Sequence, residues 1–199
     1  MAEEISDESV PERWSASKVR DDVWVDPADD PRRSETGPEE EDEKSLLVGY
    51  LRQYRLTMEM KCADLDAGQL ARRSVPPSTM SLLGLIRHLA DVERNWFRVV
   101  MAGSDVPWLY WSDDEPDVDW NGAVGDPEVV SKAWQDWRVE VAFAERFVAD
   151  SADLSSRGTM RDGETVSLRD VLVHMIEEYA RHCGHADLLR ERIDGRVGQ

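Results

Sequence analysis

At 199 residues, with 41% hydrophobic side chains and a formal charge of -18 from 42 acidic and 24 basic groups, the chain has the material for one folded domain plus an extension. A surface so negative repels phosphate backbones and anionic lipid heads, which excludes nucleic acid and membrane surfaces as partners. Two cysteines, Cys62 and Cys183, are too few for a secreted disulfide scaffold; no apolar run approaches the ~20 residues of a membrane span, and the opening MAEEISDESV lacks a secretory signal's features, so a cytoplasmic chain is expected.

Residues 1–43 carry 16 acidic and 5 basic groups, and Pro11, Pro27, Pro31 and Pro38 interrupt them. No long helix forms across such prolines. The expectation is an irregular, partly disordered acidic extension over 1–42, with Trp14 and Trp24 either lying on the folded body or carried in a loose tail. A folded domain then spans 43–199. Its first helix is marked by Leu46, Leu47, Tyr50, Leu51, Tyr54, Met58 and Leu65, at spacings of three and four. Asp66 to Gln69 has the form of a capping box that opens a short turn. A second helix starts near Ser78 or Thr79, runs through LLGLIRHLADVERNWFRVVM and stops at Gly103. Residues 103–125 form a long loop holding Trp108, Trp111 and Trp120, and loops of that length are usually functional or mobile. Asp126-Pro127 starts a third helix reaching about Asp153, and a polar connector follows. Ser167, with Asp170 three residues on, caps a last helix that ends before Gly195. Four long amphipathic helices, with no repeat and no strand-like alternation, predict an all-α, antiparallel four-helix bundle.

The chain has four histidines, His88, His174, His182 and His185. In the last helix, Leu168, Leu172, Met175, Tyr179, His182, Ala186, Leu189 and Ile193 alternate by four and three, the pattern of a core seam. His182 sits in the seam, and Glu178 lies about 40° from it around the helix. His174 and His185 lie about 80° and 60° away, at a rim or behind the ligand. In the second helix His88 flanks the seam of Leu82, Leu85, Leu89, Val92, Trp96 and Val99. Inward-projecting histidines and carboxylates on facing helices are how bundle metal sites are built. A divalent cation between His88, Glu178 and His182 offsets the cost of burying the carboxylate and leaves coordination positions open, as catalytic zinc and non-haem iron sites do. The plainer alternative is a polar helix in which Glu178 pairs with Arg181 or another arginine at the seam edge and His88 is a hydrogen-bonded core histidine. Among the remaining candidates, Trp96, Trp134 and Trp137 are expected in the core, Asp91 and Glu93 in solvent, and Arg72 and Arg73 either at the surface or against an anionic thiol. Trp108, Trp111 and Trp120 either cover the metal pocket or pack the loop down.

The segments PPSTMSLLGLIRHLADVERNWF and HMIEEYARHCGHADLLRERIDG resemble the DinB-like superfamily of metal-binding four-helix bundles, and more closely its mini-circle protein branch, over about residues 43–197. That resemblance implies one ligand from the second helix and two, one turn apart, from the last. Many members use a second histidine where Glu178 stands here; the His, Glu, His set is similar to that of mycothiol-dependent maleylpyruvate isomerase. That isomerase has a further C-terminal domain, so isomerisation itself is not expected. The implied function is a metal-dependent transferase that joins a low-molecular-weight thiol, of the mycothiol or bacillithiol type, to small electrophiles. Zinc is the expected metal, with nickel or iron as alternatives. A metal-dependent hydrolase is a variant of the same reading. The other reading is non-catalytic: a metal- or partner-binding bundle, a homodimer in one version, with the acidic arm making the contact.

Overall fold

A computed structural model describes residues 30–32 and 42–198. Trp14, Trp24 and most of the acidic extension lie outside the described residues. Asp30 and Arg32 are described: they form an ion pair at 2.9 Å, and the Arg32 guanidinium donates to Thr57 Oγ1 at 3.3 Å on the first helix.

The helices begin where short polar side chains accept the first free backbone N–H groups. Asp42 accepts from Ser45 N and opens α1 (Glu43–Cys62). A capping box between Asp66 and Gln69 opens α2 (Ala67–Ala71). Ser81 accepts from Gly84 N and opens α3 (Leu82–Glu93), three or four residues after the expected start. The chain continues without a break into a π-helical stretch, Arg94–Met101, in which Ala102 N–H reaches back to Phe97 O. A short α4 (Val118–Asn121) interrupts the long loop. Asp126 caps α5 (Pro127–Asp150), and a capping box between Ser167 and Asp170 opens α6 (Leu168–Asp194), which stops at Gly195 with φ of 80°. The connector before α6 is not strand-free as expected: β1 (Arg157–Thr159) pairs antiparallel with β2 (Thr165–Ser167). Three residues per strand are too few to show alternation in sequence.

Long-range contacts give the helix directions. Glu43 pairs with Arg169 near one end and Lys61 with Asp187 near the other, so α1 and α6 run parallel. Trp96 packs on His174 and His88 on His182, so α3 runs antiparallel to α6. Lys44 bonds Ser151 O and Arg138 pairs with Glu59, so α5 runs antiparallel to α1. The bundle is thus two parallel pairs set antiparallel to one another. Joining α3 to α5 in the same direction requires a crossover the length of the bundle, which is the work of residues 103–126. No helix among the described residues is long and apolar enough to cross a membrane.

The expected α6 seam is buried along its whole length. It shares one core with Leu82, Leu85, Ile86 and Leu89 of α3, Phe97 of the π-helical stretch, Trp137 and Ala144 of α5, and Leu51 and Met58 of α1. Trp137 is in the core; Trp96 and Trp134 are half-buried against it. The expectation for Asp91 and Glu93 was wrong, because both are buried. Glu93 receives both Arg55 Nε and Nη2 at 2.8 Å and the Tyr179 hydroxyl at 2.8 Å. Asp91 accepts the backbone N–H groups of Leu109 and Tyr110 and so anchors the crossover loop. Acids that look solvated along one helix are buried here because partners arrive from other elements.

Candidate metal centre

Two helices bring three donor side chains together. His88 lies midway along α3, and Glu178 and His182 lie one turn apart on the antiparallel α6. One ligand atom from each lies within 4.8 Å of the others. Two ligands of one ion lie at most about 4.4 Å apart, twice a bond of about 2.2 Å, so a bound cation would draw these donors a few tenths of an ångström together. Two imidazole nitrogens and one carboxylate oxygen are donors that zinc, iron and nickel accept. The donor set and its spacing fit a divalent cation.

Each donor is held by a neighbour. His182 is nearly buried, with Nε2 3.2 Å from Glu178 Oε2 and Nδ1 3.3 Å from His185 Nδ1. His185 thus lies behind His182. Burial, then the neighbouring His182 and Arg181, lower its pKa and favour the neutral ring. Glu178 Oε1 lies 3.4 Å from His174 Nε2, at the more exposed rim. The hydrogen bond from His182 holds the Glu178 carboxyl below the usual carboxylate range, against the opposing effect of partial burial. Arg181 is not its described partner, so the arginine pairing weighed from sequence is not what forms.

His88 Nδ1 lies 3.1 Å from Asp119 Oδ2. A carboxylate only accepts, so Nδ1 carries the proton and Nε2 keeps its lone pair for the site. A carboxylate behind a ligating histidine fixes tautomer and ring orientation. Sequence reasoning missed Asp119, one of several acids in an aperiodic loop. Its position is built by α4. Arg87 donates to Asp119 O at 2.9 Å and Val118 O at 2.7 Å, and Arg73 donates to Asn121 Oδ1 at 3.0 Å. Arg73 therefore braces α4, while Arg72 is exposed. Trp120 stacks on His88 with ring centroids 5.3 Å apart. A side chain at Gly84 would bring Cβ within 2.7 Å of the Trp120 ring, so glycine is what lets the indole settle on α3. Asp119→Ala is expected to weaken zinc affinity by about 10–100-fold while the protein stays folded. Competition against a metal-chelating dye checks this; unchanged affinity would show that the carboxylate does not tune His88.

A pocket of about 330 Å³ opens beside His88, walled by Trp96, Trp108, Trp111 and Trp120. Of the three loop tryptophans, Trp120 stacks on His88, while Trp108 and Trp111 pack edge to face on each other across the same pocket.

Comparison with known proteins gives three findings. One solved structure, a conserved protein from Enterococcus faecalis, matches at 17% identity with a TM-score of 0.53, over 78% of this chain and 99% of that one. At that identity the likeness speaks for the fold. No curated protein matches the chain. The family model described as mycothiol-S-transferase matches residues 46–195, which is the whole bundle from the first turn of α1 to the end of α6. On that match, and on a DinB-like bundle whose two antiparallel helices converge on a His, Glu, His set, the chain belongs to the mycothiol-S-transferase family.

Proposed function

We propose that the protein is a metal-dependent transferase that joins a low-molecular-weight thiol to a small electrophile, with His88, Glu178 and His182 as its metal ligands. The observation that carries this reading is the convergence of three donors beside an aromatic pocket, in a chain of this family. Zinc suits the donors best, and nickel or iron are accepted by the same set. A bound divalent ion lowers the pKa of a thiol and holds it as thiolate.

The chain's own residues do the rest. Asp119 holds His88 with Nε2 turned to the site. With His182 Nε2 turned the same way, its Nδ1–H donates to His185 Nδ1. The thiol's proton passes to solvent at the open rim, where His174 Nε2 faces Glu178 Oε1. The sulfur then attacks the electrophilic carbon; the sulfur–carbon bond forms as the bond to the leaving group breaks, and that group departs with the bonding pair. The tryptophan walls keep water from the electrophile. Family membership favours mycothiol over bacillithiol.

The test is incubation of zinc- or nickel-loaded protein with mycothiol or bacillithiol and benzyl chloride, with the conjugate measured by mass spectrometry. The expected result is conjugate formed with mycothiol, lost on chelation and in His182→Ala. No conjugate with either thiol, in protein shown to hold metal, overturns the reading. The hydrolase variant puts water in the thiol's place, and the same incubation without thiol detects it.

A further inference from the structure

We propose that the pocket beside His88 is a binding site for a neutral, planar aromatic molecule; on the transfer reading above, that ring belongs to the electrophile. The floor is one face of the second bundle helix. His88, Asp91, Val92, Asn95 and Trp96 follow at offsets of three, four, seven and eight residues, which places them on a single helical stripe. The stripe faces the crossover loop, and Trp108, Trp111 and Trp120 close over it.

The loop does not collapse onto this stripe because it is held at fixed points. Asp91 grips the Leu109 and Tyr110 N–H groups, Arg87 grips two carbonyls of α4, and the Arg161 guanidinium sits 4.6 Å from the centre of the Trp108 ring. A concavity of about 330 Å³, partly open to solvent, is left between the indoles. That lies at the small end of ligand pockets, about 300–1,000 Å³, and suits one or two fused rings.

Three features select the ligand's chemistry. Indole walls favour a flat π-system that can stack or meet them edge to face. Among the described residues no lysine or arginine lines the pocket, whereas Asp91 and Asp119 do, so an anion finds no basic side chain along its walls. Both of those carboxylates already accept hydrogen bonds, Asp91 from the loop backbone and Asp119 from His88 and Trp120 N. They are committed to the protein and offer little to a cation. Asn95, half-buried and hydrogen-bonded through its side chain to no described residue, presents a donor and an acceptor to one polar substituent. The pocket meets the metal triad at His88, so a ring held here projects its reactive substituent toward a thiolate entering from the His174 side.

The experiment uses full-length, zinc-loaded protein and three unreactive probes: benzyl alcohol, cyclohexylmethanol and benzoate. Indole N–H signals are followed by NMR during titration. Benzyl alcohol is expected to shift the signals of Trp108, Trp111 and Trp120 saturably and to bind about tenfold tighter than the other two. Val92→Phe, which fills the floor, is expected to abolish that preference while zinc content and helicity are retained. Asn95→Leu is expected to keep ring binding but lose the preference for benzyl alcohol over toluene, a fourth probe that lacks the hydroxyl. Equal binding of the three probes, or full benzyl alcohol binding in Val92→Phe, overturns the inference. The two readings fail separately. Benzyl alcohol binding without any thiol conjugation sinks the transfer reading and leaves the aromatic site standing. Conjugation of allyl chloride with the same rate enhancement as benzyl chloride, unaffected by Val92→Phe, sinks the aromatic site and leaves the transferase.

Discussion

His182→Ala is expected to purify with no more metal than a buffer blank, while the wild-type protein holds a divalent ion. The imidazole is one of three donors, it is nearly buried, and its removal leaves His88 and Glu178 on separate helices with no third ligand. Elemental analysis after gel filtration reads the outcome, with Glu178→Ala expected to behave alike. His174→Ala and His185→Ala should keep their metal, because those rings contact the ligands and do not complete the set. A ligand that binds only the folded state stabilises it, by about 2.7 kcal/mol at a hundred times its dissociation constant. Added zinc should therefore raise the melting temperature of the wild type and leave that of His182→Ala unchanged. Equal metal content in the two proteins would remove the proposed site.

Glu93→Ala is expected to cost about 3–5 kcal/mol of folding stability, the largest loss from any single side chain in the core. Burial alone would lower the Arg55 pKa, but the Glu93 carboxylate overrides it and holds the guanidinium charged. Removing the carboxylate leaves that charge buried, with Glu145, at 3.8 Å and half exposed, as its remaining acidic partner among the described residues. It also strands the Tyr179 hydroxyl, which donates to Glu93 and accepts from Trp137 Nε1. Urea denaturation of metal-free protein measures the loss without a contribution from bound ion. The double variant Arg55→Met, Glu93→Met should recover most of it, since apolar side chains can replace a buried ion pair without leaving a charge behind. An unchanged urea midpoint for Glu93→Ala would show that the pair contributes nothing.

The candidate ligands are legible in the sequence because helical periodicity converts spacing into direction. His182 falls in an unbroken seam and Glu178 stands one turn before it, so both project to one side of α6. His88 needs only that its helix be a neighbour. Asp119 is not legible in the same way. Asp105, Asp113, Asp114, Asp117 and Asp119 share one loop without periodicity, and what singles out Asp119 is the grip of Arg87 and Arg73 on α4. Asp91 and Glu93 mislead for a related reason. In LADVERNW they read as solvated acids, whereas the partners that bury them come from Arg55, Tyr179 and the loop backbone. The π-helical stretch and the two short strands leave no local signal of their own.

From the sequence alone came the helix starts at Asp66, Asp126 and Ser167, the stops at Gly103 and Gly195, the buried face of α6 and the placing of Glu178 and His182 on one side of it, since each depends on hydrogen bonds and spacing within a few residues of chain. The tertiary structure decided that α3 and α5 run in the same direction, that two acids are buried, that Asp119 backs His88, and that four indoles enclose a pocket. Those outcomes are contacts between residues tens of positions apart. Their energies exist only once the bundle has brought the partners together, and no local pattern encodes them.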